Sequence, residues 1–211
     1  MIPIRTILLV VVALGLFECS ATPPRQSVLP AERFSDNNDI VLLPTEDFPF
    51  EFAVYLAKVL AADTNLRIRA VLNLGTSDWR PYSNTPQYDP AKLKTIALPA
   101  IADLKKTYGG SLYILLTTRD INNSSGDLRF VFAESYPQDK VSVISAARMR
   151  VGTGGEPASV QVVGERLRKM ALRTIGLQYY GLPRSANPQD LLYSPLMSLE
   201  TLDGLVPRLR R

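Results

Sequence analysis

The residues best equipped for chemistry crowd into the last third of this chain. Arg166, Lys169 and Arg173 recur at helical spacing in GERLRKMALRT, Arg184 follows in a proline-rich loop, and Glu165, Glu200 and Asp203 supply carboxylates. Side chains three and four residues apart share a helical face, so the three cations form a stripe roughly opposite Val163, Leu167, Met170 and Thr174. A stripe of this kind is ordinarily a solvated face with surface ion pairs of little individual worth. The sharper alternative is an anion site in which Arg173, with Arg184, grips a carboxylate, either a ligand's chain terminus or the chain's own Glu200 or Asp203.

What the chain lacks narrows its chemistry further. Its 211 residues include no histidine and one cysteine, Cys19. Zinc is held by imidazole, thiolate and carboxylate, and without the first two only carboxylates remain, which favour harder ions. A zinc site of the usual kind and a His-based catalytic triad are both excluded. Ser145 and Ser198 have no imidazole to activate them. The glycine-rich GTGG stretch at Gly152 lacks the Lys-Ser/Thr of a phosphate-binding loop. The reading is therefore of no metal, no cofactor and no assigned catalytic residue.

The elements that position these residues follow from composition and periodicity. With 46% hydrophobic residues the chain has apolar material for one core, which at this length means one domain. The formal charge of +4 is dispersed, which argues for a solvated surface and against a nucleic-acid partner. Residues 1–21 carry Arg5, an apolar run from Ile7 to Phe17, then Cys19, Ser20 and Ala21. That is the pattern of a secretory signal and is too short for a membrane span. Cleavage after Ala21 removes Cys19, and the competing reading makes Cys19 the lipid anchor of an envelope lipoprotein. Residues 22–38 form a Pro-rich tether, and 39–211 the domain.

Within that domain, IVLLP reads as a strand, Phe50 to Ala62 as a helix with Phe52, Leu56, Val59 and Leu60 on one face, and Leu66 to Leu74 as a strand. The Thr76 to Pro90 loop gathers Trp79, Tyr82 and Tyr88, either edge-of-core aromatics or a recognition surface. Asp89 and Pro90 then cap and open a helix running to Tyr108, which Pro99 should kink or split. Ser111 to Thr118 reads as a central strand, and Leu128 to Ala133 and Val141 to Ser145 as two more. One helix spans Ser159 to Tyr180, with Tyr179 and Tyr180 near its end either lining a peptide groove or, as is commoner for aromatics at a helix terminus, at the core edge. A short helix lies near Asp203.

Three stretches together resemble the archaemetzincins, small single-domain zinc metallopeptidases of the metzincin type. QYDPAKL before a helix, then LYILLTTRDI and FVFAESYPQDKVSVIS, are similar to that family's aspartate-bearing strand, FVFG-like strand and substrate-side edge strand. ERLRKMALRTIGLQYYGLPRSANP, followed by SLETLD, resembles its helix bearing HE(L/I)GH, glycine-leucine bend, His-Cys with Pro-Asn-Pro, and serine-leucine-glutamate stretch. The resemblance covers Asp39 to Asp203. It implies an α/β fold: a single metzincin-like domain, with a mixed twisted sheet, packed helices and an irregular C-terminal portion.

Carried over residue by residue, the resemblance places Arg173 at the first zinc histidine, Thr174 at the general-base glutamate, Leu177 at the second histidine and Arg184 at the third. Gly176, Gly181 and Leu182 keep the family's glycine and bend. Ser185 and Asp190 stand at two cysteines of its second, structural zinc, and Leu192 at its Met-turn. One extra residue separates Leu177 from Gly181. An alternative register assigns Lys169, Met170, Arg173 and Tyr179 to the four roles and Met197 to the Met-turn. Neither register retains a ligand, so zinc-dependent proteolysis is not expected.

The chain is thus expected to be a secreted or periplasmic, non-catalytic member of that fold that binds a peptide or protein, touching membrane only through its signal or a lipid at Cys19. The alternatives are a hydrolase working through Glu165, Glu200 and Asp203, or a structural envelope protein.

Overall fold

The computed structural model describes residues 40–71, 73–108, 110, 112–123, 130–152 and 154–209. Signal, tether and Cys19 lie outside the described residues. Strand β1 (Ile40–Pro44) is followed by α1 (Phe50–Thr64), β2 (Ile68–Ala70), α2 (Pro90–Tyr108), β3 (Leu112–Thr117), β4 (Ala133–Tyr136) and β5 (Val141–Ser145). A 3-10 turn at Arg148–Arg150 leads to α3 (Val160–Thr174), which runs on as a π-helical turn (Ile175–Tyr179) before α4 (Leu199–Gly204). Among these residues no helix is long and apolar enough to cross a membrane.

The sheet has the order β2-β1-β3-β5-β4. All neighbours are parallel except β4, which runs antiparallel to β5. Parallel strands are covered on both faces and therefore read as unbroken apolar runs. IVLLP, LYILLT and VSVIS are buried at every position. On one face Leu56 and Leu60 of α1, with Leu167, Met170 and Leu172 of α3, form one core. On the other, Leu93, Ala97 and Ile101 of α2 pack with Trp79 and Val143. Each such aliphatic side chain contributes about 1.5–3 kcal/mol on burial. The result is a three-layer α/β domain with a mixed sheet, as expected.

Several boundaries differ from the sequence reading. The strand sought at Leu128 to Ala133 lies further on, because the Pro137 to Lys140 turn pairs Tyr136 with Val141 and so fixes the hairpin register. The turn closes through Asp139 N–H to the Tyr136 carbonyl, with Lys140 at φ 56°. Leu66 to Leu74 shrinks to Ile68–Ala70 at the sheet edge, and Leu74 makes an isolated bridge to Thr45. Pro99 does not split α2. It is exposed, so the carbonyl that loses its N–H partner faces water. The aromatic loop is no recognition surface at Trp79, which is 1% exposed. Its indole donates to the Asp89 carbonyl at 2.8 Å, and the Arg119 guanidinium sits 5.3 Å from its ring.

The C-terminal ends of β1 and β3 are tied by Asp47. Its carboxylate accepts from the Thr45, Thr117 and Thr118 hydroxyls and the Thr118 N–H at 2.6–2.9 Å. Burial pushes this carboxyl up, but the hydrogen bonds from Thr118, Thr45 and Thr117 outweigh it and hold the group below the ordinary range. A folded-state value below the unfolded one means stability fully present above the unfolded value of 3.8 and lost as pH falls through the folded one. Asp47→Asn is expected to cost about 1–3 kcal/mol at neutral pH and to flatten the acid limb of stability below pH ~4, both read from urea midpoints measured across pH.

Candidate functional site

A cleft of about 660 Å³ opens between β4, the end of α3 with its π turn, and the loop at Ser194 to Met197. Phe130, Phe132, Leu177, Leu196 and Met197 give it apolar walls. The polar groups include Arg173, Arg184, Glu134, Asn123 and Gln178. Arg173, Thr174, Leu177 and Arg184 all line this cleft. Of the alternative set, Met170 and Met197 line it as well, but Lys169 and Tyr179 do not.

The extra residue between Leu177 and Gly181 has a structural counterpart in the π turn. A π turn holds one residue more than an α turn, so Ile175–Tyr179 absorbs the insertion without breaking the helix. The helix then stops at Gly181 with φ 63°, and Leu182 N–H reaches back to the Gly176 carbonyl at 2.9 Å. This is a widened form of the glycine-ended helix cap. Gly176 itself admits Leu192 and Leu209, whose methyl carbons would lie 2.9 and 2.7 Å from any Cβ placed there.

The α3 cations are not a solvated face. Arg166, Lys169 and Arg173 are 2%, 9% and 6% exposed, because the irregular C-terminal segment covers them. Arg166 grips both oxygens of Asp203 at 2.6–2.7 Å and donates to the Met149 and Val151 carbonyls. The Asp203 hydrogen bonds hold its proton more tightly than usual, against the cost of burial. Lys169 Nζ donates to the carbonyls of Leu202 and Asp203 at the end of α4. Burial pulls that ammonium below its ordinary range, opposed by the charges of Asp203 and Glu165. Asp203 is thus the partner of Arg166, and the expectation that Arg173 might hold Asp203 or Glu200 fails on geometry. Glu200 is exposed, and its oxygens fall below the ordinary carboxyl range through the Ser198 hydrogen bond.

Arg173, unlike Arg166, has no carboxylate within 4 Å among the described residues. It donates to the Leu191 carbonyl at 2.9 Å. Burial, then the charge of Arg184, weaken its hold on its proton, and Asp190 offsets this in part. Arg184 is exposed and donates to Ser194 Oγ at 2.9 Å. Across the cleft Glu134 is pushed up chiefly by burial, against a hydrogen bond from Asn123 and with Asp89 adding to the rise.

Ser185 and Asp190 do not enter the cleft. Ser185 Oγ accepts from Asn187 N–H, and Asp190 Oδ1 from Leu192 N–H, so hydroxyl and carboxylate turns shape this loop. Glu134, Asn123 and Gln178 were not singled out from sequence. Glu134 and Asn123 sit on a strand and a loop whose meeting with α3 no local pattern announces.

Removing Arg166 leaves Asp203 unpaired and two buried carbonyls without donors, so Arg166→Met is expected to cost about 3–5 kcal/mol and to expose the segment after Ser198 to limited proteolysis. Gly181→Ala meets nothing within 4 Å, so only left-handed backbone strain acts, a loss of about 1–2 kcal/mol in denaturant titration.

Neither a family model nor a curated protein matches the chain. Solved structures do. A zinc-dependent peptidase from Methanocorpusculum labreanum is similar with TM-score 0.66 and 20% identity, over 81% of this chain and 95% of that one. Archaemetzincin from Archaeoglobus fulgidus gives 0.57 and 18%, over 82% and 96%. Archaemetzincin from Methanopyrus kandleri gives 0.62 and 16%, over 84% and 91%. At such identities what is shared is the backbone arrangement, and on that ground the domain has an archaemetzincin-like, zinc-peptidase-like fold.

Proposed function

We propose that this chain is an exported protein of archaemetzincin-like fold whose cleft recognises a peptide or protein segment without cleaving it. The observation that carries the reading is the identity of the residues where the α3 helix meets the cleft: Arg173, Thr174, Leu177 and Arg184. These are the positions that the resemblance assigns to the zinc ligands and the general base. Two guanidiniums, a hydroxyl and an isobutyl group offer zinc no lone-pair donor set, and the full sequence has no imidazole to supply one. The donors present do not fit the metal, so no hydrolytic step is routed through one.

What the lining can do is bind. Arginine offers a planar fork for carboxylates, apolar walls favour side chains, and β4 presents an edge with no strand partner beyond β5 among the described residues, which suits addition of an extended segment. The carboxylate-hydrolase alternative loses support, since Glu165, Glu200 and Asp203 all lie off the cleft lining and both Asp203 oxygens are engaged by Arg166. Export rests on the signal-like residues 1–21 alone, with lipidation at Cys19 as its variant.

Purified mature protein dialysed against zinc is expected to retain less than stoichiometric metal by elemental analysis, and to leave a broad peptide library uncut with or without added zinc. Stoichiometric zinc accompanied by cleavage would overturn the reading. The mass of the mature N-terminus decides between removal of Cys19 and its acylation.

A further inference from the structure

Most arginines near the core of this domain are matched to a carboxylate. Arg166 holds Asp203, Arg168 holds Asp63, Arg148 holds Asp120, and Arg119 lies against Glu46 and Asp47. Arg173 and Arg184 form no such pair among the described residues; each has a single neutral acceptor, the Leu191 carbonyl and Ser194 Oγ. They line one cleft, Arg173 buried and Arg184 exposed. Their charges oppose each other, and Glu134, the one carboxylate in the lining among the described residues, is itself pushed toward its neutral form by burial. A buried guanidinium without a counter-charge is costly, and a bound anion is the simplest relief.

Two further features say what kind of anion. The Asn123 amide oxygen is buried at the cleft without a hydrogen-bond partner among the described residues, an acceptor awaiting an N–H. The apolar walls and the open edge of β4 extend well beyond what an inorganic anion would cover. An occupant carrying N–H donors, apolar side chains and a terminal negative charge is a peptide ending in a free carboxylate. Resting on the reading of the cleft as a peptide site, we propose that the ligand is recognised by its C-terminal carboxylate, held between Arg173 and Arg184, with its preceding residues extended along β4.

The test uses the full mature protein and two fluorescein-labelled random heptapeptide libraries, identical except that one ends in a free acid and the other in an amide. Binders selected from the acid library are expected to lose at least about tenfold in affinity on amidation, as the loss of a charge-assisted hydrogen-bond pair requires. Arg184→Gln, at an exposed position that leaves the core intact, should weaken the free acids by about tenfold and leave the amides unchanged. Equal binding of acid and amide, or dependence on an internal Asp or Glu that survives amidation, overturns the carboxylate proposal while the peptide-binding reading stands. Failure of both libraries to bind overturns both.

Discussion

Three cations along one face of α3 are taken out of water, and the C-terminal third of the domain is arranged around that fact. Desolvating a charge costs several kcal/mol even after relaxation, so the helix keeps Arg166, Lys169 and Arg173 inside only where acceptors meet them. The segment after Gly181 supplies those acceptors. Asp203 and the carbonyls of Leu202 and Asp203 close over Arg166 and Lys169, and the Leu191 carbonyl meets Arg173. This stretch is irregular apart from one six-residue helix. Donation from α3 to its carbonyls substitutes for the ladder that a strand would have provided.

The same helix shows how the satisfied and unsatisfied ends of that stripe divide the labour. At Arg166 four of the five N–H donors are used, by a bidentate carboxylate and two carbonyls, and the side chain acts as a structural clamp. Two turns on, Arg173 has one neutral acceptor and borders the cleft. The π turn begins two residues further and carries Leu177 and Gln178 onto the same wall. Wide turns of this kind recur where a helix face serves something other than packing. Here it also lets Gly181 end the helix in spite of one extra residue.

The likeness to zinc peptidases is one of backbone path. A sheet whose parallel strands are covered on both sides, an edge hairpin and a helix ending in glycine suffice to recreate the groove. None of those features needs a metal. The turns of the loop after Gly181 are closed by Ser185, Asn187 and Asp190, whose side chains accept from backbone N–H groups two residues on. Local hydrogen bonds of this sort hold a loop by themselves.

Local chemistry alone determined much of this protein. Unbroken apolar runs marked β1 and β3, because a strand buried on both faces admits little else; Asp89 with Pro90 and Ser159 marked helix starts, because capping is read from neighbours in sequence. The absence of histidine excluded a conventional zinc centre before any fold was known. Tertiary structure alone decided the rest. It turned a stripe that reads as a solvated face into a buried one, because the covering acceptors come from residues 17 to 37 positions away. It put Glu134 and Asn123 opposite Arg173, and hid Trp79 beneath Arg119. Periodicity records which face of an element differs from the other; whether that face meets water or another segment is a property of contacts between distant parts of the chain, and no local pattern encodes it.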